Sequence, residues 1–388
     1  MDARGLLPEG GLTRREVLAL IGAGSAALVL PGCSVSPPLS SARTAAIIDA
    51  EAWGGLAVSL DGDKAYAARV EGTLPKGLRG TLYRNGPGLF DRGGKRRRAL
   101  LDGDGLVQAF RFGEEETFYR ARFVRTDKFV DEERAGRFVW GTFSTQAPGG
   151  LFANVLPHRR IRSQAGITAV VRGGRLYAFD ETGLPWERDA ETLETLGETT
   201  LGLAPGLTFW AANDKIDRET GEWLHFGLEF GRKMRVHLTT FAADGSLASH
   251  DSWPLPRFSY LHDGFVTRRH VVLHLHPATI EVWRLLLGLR SIVDSLRWKG
   301  SDGSLLMILP WDRSGGALPR FVETEAVFLW HSFNGHEEGD ELVLDFVGYH
   351  DTDHFIGDGP LAGVLLEHHV PISSHDFWKP ADRPAAGW

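Results

Sequence analysis

Tight turns recur along almost the whole chain and divide it into short apolar runs. Asp61-Gly62-Asp63, Asn85-Gly86-Pro87, Gly93-Gly94, Asp102-Gly103-Asp104-Gly105, Gly173-Gly174, Asp244-Gly245, Asp302-Gly303 and Gly339-Asp340 each separate segments rich in Val, Phe, Leu and Trp. Glycine supplies positive φ at no steric cost, and Asp or Asn can hydrogen-bond the backbone of its own turn, so this punctuation predicts many short antiparallel hairpins. The 47 glycines, 19 prolines and 22 phenylalanines argue in the same direction, against long helices and for an all-β fold. The run Arg175-Leu176-Tyr177-Ala178-Phe179, followed by the Glu-Thr-Leu repeat in residues 189–198, has the strand–turn–strand cadence of a propeller blade. The 355 residues after Cys33 suffice for about seven blades at ~50 residues each, although spacing alone does not fix the number.

One stretch breaks the β pattern. Residues 280–298 carry Leu285, Leu286, Leu289, Ile292, Val293 and Leu296 at near-helical spacing, which predicts an amphipathic helix. Such a helix would either pack across one end of the sheets or dip into a bilayer.

The N-terminal region has a different character. Arg14-Arg15 precedes a 14-residue apolar run, residues 17–30, too short for an ordinary spanning helix and suited to a signal-peptide core. The arginine pair resembles a twin-arginine export signal, and Leu30-Pro31-Gly32-Cys33 resembles a lipobox in which Cys33 would be acylated, with Pro31 an unusual choice. The alternative is a frayed helix in which Cys33 is merely small and apolar. The expected organisation is a signal over residues 1–33, a Ser/Pro-rich tether over 34–44 and a propeller over 45–388. The expected location is exported, periplasmic or membrane-anchored as a lipoprotein.

Several function classes drop out. A single cysteine excludes a disulfide framework and any cysteine-based metal cluster. A net charge of −7 without a basic domain disfavours nucleic acid as a partner. There is no glycine-rich phosphate loop, nucleophile elbow or cysteine nucleophile. Asp102-Gly103-Asp104-Gly105 begins like a calcium loop, yet its twelfth position is Gly113 where a bidentate glutamate is needed, so a tight turn is the better reading. Arg92 and Lys95-Arg96-Arg97-Arg98 form a local basic cluster, either a solvated loop or a contact for anionic lipid headgroups and hence peripheral membrane contact.

Among 15 histidines, spacing singles out His262, His331 and His375, which lie 69 and 44 residues apart at the edges of strand-like runs. Residues so dispersed converge only where strands radiate around one axis, as in a propeller; scattered structural histidines are the competing reading. Local motifs bear on that choice. Gly80-Thr81-Leu82-Tyr83-Arg84-Asn85-Gly86-Pro87, Asp102-Gly103-Asp104-Gly105-Leu106-Val107, Gly183-Leu184-Pro185-Trp186, Lys215-Ile216-Asp217-Arg218-Glu219-Thr220-Gly221-Glu222, His262-Asp263-Gly264-Phe265-Val266-Thr267 and His331-Ser332-Phe333-Asn334 together resemble the carotenoid cleavage oxygenase family, in family order from about Trp53 onward.

The resemblance implies a seven-bladed propeller with a helical and loop cap, nonheme Fe(II) held on the axis by four histidines, and an apolar tunnel. It also implies addition of O2 across a conjugated double bond, with an apocarotenoid or a stilbene-like phenolic as substrate. A monomer is expected. By position, His262, His331 and His375 match the second, third and fourth ligands, and Glu181 matches a glutamate that hydrogen-bonds a ligand ring. Two departures stand out. Asn213 occupies the first ligand position, with His225 nearby on a following strand-like run. The 44 residues between His331 and His375 are far fewer than usual, and the missing stretch is where the family carries further ring-binding glutamates and part of its last blades. These departures motivate the alternative of a catalytically silent propeller that binds a hydrophobic ligand or acts as a scaffold, possessing a ring that is complete or shortened.

Overall fold

The computed structural model describes residues 58–352, apart from residue 115 and stretches 156–160, 204–208, 231–232 and 313–315, together with a two-residue strand at Leu39–Ser40. His375, Cys33, Arg14 and Arg15 lie outside the described residues. Strands account for 47% of the structure and helices are few, as the turn spacing predicts.

Five antiparallel units follow one another along the chain. The first comprises β1 (Lys64–Ala68), β2 (Gly80–Leu89), β3 (Asp104–Phe112) and β4 (Thr117–Phe123), in the spatial order β1-β4-β3-β2. The second comprises β5 (Thr168–Arg172), β6 (Arg175–Phe179), β7 (Trp186–Arg188) and β8 (Thr195–Glu198), joined in sequence. The third comprises β9 (Phe209–Ile216), β10 (Trp223–Glu229), β11 (Arg235–Phe241) and β12 (Leu247–Pro254). The fourth comprises β13 (Gly264–Val266), β14 (His270–Leu275), β15 (Ser304–Pro310) and β16 (Arg320–Thr324). The fifth is the hairpin of β17 (Phe328–Glu338) and β18 (Glu341–Tyr349).

The core lies between consecutive units. Val107 and Ala109 of the first pack with Leu176, Ala178 and Trp186 of the second. Tyr177 and Phe179 of the second meet Trp223 and Phe241 of the third. Phe226, Val236, Leu238 and Trp253 of the third meet Val271, Leu273, Leu275 and Met307 of the fourth. Phe265 and Val272 of the fourth meet Leu329, Leu344 and Phe346 of the fifth. An interior sheet is covered on both faces by its neighbours, so its central strands are apolar on both faces instead of alternating, as His270-Val271-Val272-Leu273-His274-Leu275 shows. Hydrogen bonds link one edge strand of each unit to the next unit. Asn85 of β2 donates to the Thr168 carbonyl of β5 at 2.9 Å, Thr168 Oγ1 donates to the Ala212 carbonyl of β9 at 2.5 Å, and Asn213 of β9 donates to the His262 carbonyl just before β13 at 3.1 Å. The edge strands β2, β5 and β9 border a cavity of about 630 Å³ lined by Leu82, Tyr83, Val170, Asp214 and Ile216 among others.

Three expectations are corrected. Asn85-Gly86-Pro87 is not a turn but the middle of β2, paired in register with Val107, Leu106 and Gly105. Asn85 spends its amide on the Ala165 and Thr168 carbonyls of the next unit, so its polar side chain is a cross-link and not a turn former. Residues 280–298 do not form one helix. They form two short ones, Val282–Leu286 and Ile292–Ser295, followed by the strand Leu296–Trp298. Gly288, at φ 69°, breaks the run where it lies against the backbone of Asn154, an approach no side chain would permit. Val282 and Trp283 are exposed, and among the described residues no helix is long and apolar enough to cross a membrane.

The arginines of the basic cluster do not form a solvated loop but pair with carboxylates of the fold, while Lys95 is exposed. Arg96 pairs with Asp91 at 2.6 Å, Arg97 with Glu132 at 2.8 Å and Arg98 with Asp294 at 2.7 Å, while Arg92 lies 3.6 Å from Asp104. Lys128 joins Asp104 and Glu132 at 2.5 and 3.1 Å, which makes a buried charge network under helix α1 (Asp127–Ala135). Desolvated charges are costly unless paired, and each of these has an opposite charge beside it, although Arg92 Nη2 and Asp104 Oδ2, 3.6 Å apart, are not hydrogen-bonded to each other. The neighbouring Asp102 is equally committed, accepting from Ser144 N at 2.9 Å and Thr145 Oγ1 at 2.6 Å, so the calcium-like sequence is structural.

Candidate metal centre

His262 and His331 meet at the leading edges of the fourth and fifth units. His262 lies two residues before β13, and His331 lies within β17. Their Nε2 atoms stand 3.4 Å apart. Two nitrogens that share a metal at about 2.0–2.1 Å each are separated by about 3 Å at a right angle and about 3.4 Å at a tetrahedral one. The spacing therefore fits a pair of ligands converging on one point.

Glu181, in the loop after β6, accepts from His262 Nδ1 at 2.6 Å. A carboxylate there requires the proton on Nδ1, which leaves Nε2 of the neutral ring as a lone pair facing His331. The other Glu181 oxygen accepts from the Tyr260 hydroxyl at 3.0 Å, and that hydroxyl is 3.4 Å from His262 Nδ1. Burial, followed by the adjacent Glu181 charge, pushes the Tyr260 pKa well up. It therefore stays a hydroxyl donor at neutral pH. Partial desolvation and the facing His262 hold the His331 pKa below that of an ordinary imidazole, which favours the neutral form a metal needs.

A second set of bonds aligns the two strands. Asp263, buried beside His262, accepts from Lys215 Nζ at 2.8 Å, from Gly264 N at 2.8 Å and from Ser332 N at 2.9 Å. The Ser332 hydroxyl bonds the Gly264 carbonyl at 2.7 Å. The residues following both histidines, and the lysine two places after Asn213, are thus tied to one carboxylate. Trp330 stands edge-on to the His262 ring at 4.8 Å and closes one side.

Asn213 reaches this place too, but its amide nitrogen donates to the His262 carbonyl. His225 does not reach it. Its ring is buried against Phe179 and Trp223, its Nδ1 meets the Phe226 carbonyl, and burial lowers its pKa to about 4. Among the described residues no group of three or more His, Cys, Asp or Glu side chains is placed to hold a metal. His375 falls outside them. The structure thus brings together His262, His331, Glu181 and Asn213. Sequence reasoning gave no role to Tyr260, Asp263, Lys215 and Ser332, although the last three lie inside motifs already singled out.

The profile of the retinal pigment epithelial membrane protein family matches residues 59–360. The chain belongs to that family, which includes the carotenoid oxygenases. It is 28% identical over 327 residues to apocarotenoid-15,15'-oxygenase of Synechocystis, covering 82% of this chain and 65% of that protein. It is 27% identical to isoeugenol monooxygenase of Pseudomonas nitroreducens, over 73% of this chain and 57% of the relative. It is 28% identical to lignostilbene-alpha,beta-dioxygenase isozyme III of Sphingomonas paucimobilis, over 71% and 56%. The solved structure of cobalt-substituted Synechocystis ACO superimposes with a TM-score of 0.74 at 27% identity, covering 80% of this chain and 66% of that one. That neighbour is a β-propeller, and this carotenoid oxygenase relative shares its mostly-β architecture. The chain spans under two thirds of the length of these curated relatives.

Proposed function

We propose that this family member is a nonheme Fe(II) dioxygenase that cleaves a conjugated double bond of an apolar substrate, an apocarotenoid or a stilbene-like phenolic. The observation that carries the reading is the 3.4 Å approach of His262 Nε2 and His331 Nε2, with Glu181 fixing the His262 ring from behind. In this reading His262, His331 and His375 hold the iron, with Asn213 at the remaining position. When bound, iron with neutral imidazole ligands would keep its full positive charge and offer open positions to O2. Glu181 keeps the His262 proton on Nδ1, Asp263 keeps the two histidine-bearing strands in register, and Trp330 shields one face of the ring from water. The similarity to an apocarotenoid oxygenase and a lignostilbene dioxygenase supports the substrate class.

One observation favours a second reading, a catalytically silent propeller. Asn213 spends its amide nitrogen on the backbone of His262 instead of supplying an imidazole, and an amide oxygen is a weaker ligand than imidazole for Fe(II). Elemental analysis of protein purified under anaerobic, iron-replete conditions separates the two. About one iron per chain, lost in His331→Ala, is the result expected for the oxygenase. Iron-free protein, or iron retained in His331→Ala, would support the silent reading.

A further inference from the structure

We infer that Tyr260 is a positioning residue of this centre: its hydroxyl locks the Glu181 carboxylate in the orientation that fixes the His262 ring. The inference rests on the iron reading above, and its test is chosen to stand apart from it. The two oxygens of Glu181 are divided between two donors, His262 Nδ1 on one and the Tyr260 hydroxyl on the other. With the 3.4 Å approach of the hydroxyl to Nδ1, the three groups close a triangle. Tyr260 and His262 are two places apart in the chain with their rings stacked at 6.3 Å, and both face a carboxylate 79 residues before Tyr260.

The terminal torsion of a glutamate is broad, so a carboxylate held by one donor can swing about it. A donor on the second oxygen removes that freedom. Tyr260 is itself well fixed. Its ring is buried near Phe328, His276 and the edge of Trp330, and its backbone N–H donates to the Ala278 carbonyl. A rigid phenol thus sets the carboxylate, the carboxylate sets the imidazole, and the imidazole sets where the Nε2 lone pair points. Where an imidazole is missing at position 213, the aim of those remaining matters more.

Tyr260→Phe removes one oxygen and keeps the ring, so the variant is expected to fold with a parental near-ultraviolet circular dichroism spectrum. In the metal-free protein, 15N chemical shifts of His262 should move from the Nδ1-protonated tautomer toward a mixture. With Co(II) as the probe, affinity should fall about tenfold and the visible absorption bands should shift, since partners behind a ligating histidine are typically worth ~10 to 100-fold in affinity. Glu181→Gln should show a loss at least as large, and adding Tyr260→Phe to it should cost nothing further. Parental tautomer, affinity and spectrum in Tyr260→Phe would overturn the inference, as would additive losses in the double variant. A parent protein that binds no Co(II) would sink the iron reading instead, and the tautomer measurement would still decide the role of Tyr260.

Discussion

His274 sits in the seam between the fourth and fifth units, 1% exposed, its ring 4.7 Å from that of His276 and near Phe346. Neither of its ring nitrogens has a hydrogen-bond partner, and burial lowers its pKa from 6.5 to about 4. The folded protein therefore holds His274 neutral, whereas the unfolded chain takes up a proton below about pH 6.5. With the folded pKa depressed, stability is unaffected above the unfolded value and is lost as pH falls from about 6.5 to about 4. The gap of 6.5 to about 4 corresponds to about 3 kcal/mol once pH reaches 4, and about 2 kcal/mol at pH 5. His274→Leu removes the titrating ring and two unpartnered nitrogens, so at pH 7 it should be as stable as the parent or slightly more so. Urea unfolding at pH 7 and pH 5 measures the difference directly. The parent should lose about 2 kcal/mol more than the variant between the two pH values, because carboxylates titrate equally in both. An identical pH dependence in parent and variant would refute the placement of His274 as a neutral group in a dry seam.

Two further outcomes are expected. Asn213→His should tighten iron binding, because an imidazole there can donate one N–H to the His262 carbonyl that Asn213 now holds and present its other nitrogen to the pair; equal iron retention by parent and variant during dialysis against a chelator, followed by elemental analysis, would count against it. Arg14→Lys with Arg15→Lys should trap the protein in the cytoplasm if the arginine pair is read as an export address, and unchanged fractionation would remove that reading.

The β character of the chain was legible because turn chemistry is local: Gly173-Gly174, Asp244-Gly245 and Gly339-Asp340 all lie between paired strands. Local reading failed where a residue's partner is distant. Asn85-Gly86-Pro87 has turn composition, yet the amide of Asn85 bonds residues 80 and 83 places away. The arginines at 92 and 96–98 read as a surface patch because Glu132 and Asp294, which neutralise Arg97 and Arg98, lie far along the chain. The same limit applies to the centre. His262 and His331 carried motifs around them, whereas Tyr260 and Asp263 matter only because Glu181, Lys215 and Ser332 arrive from other units.

The architecture also bears on how the pair of histidines is held. Each sheet buries its faces against its immediate neighbours, so the hydrophobic seams between the third and fourth units and between the fourth and fifth stand on contacts within those pairs. His262, His331 and the Asp263 junction belong to the fourth and fifth units, and Glu181 and Asn213 reach them from the second and third. Among the described residues, the contacts named above that aim the two imidazoles therefore lie among the second to fifth units. The consequence is separable in experiment. Ligand number should govern metal affinity, while the His262 tautomer, set by Glu181 and Tyr260, should be the same with or without metal.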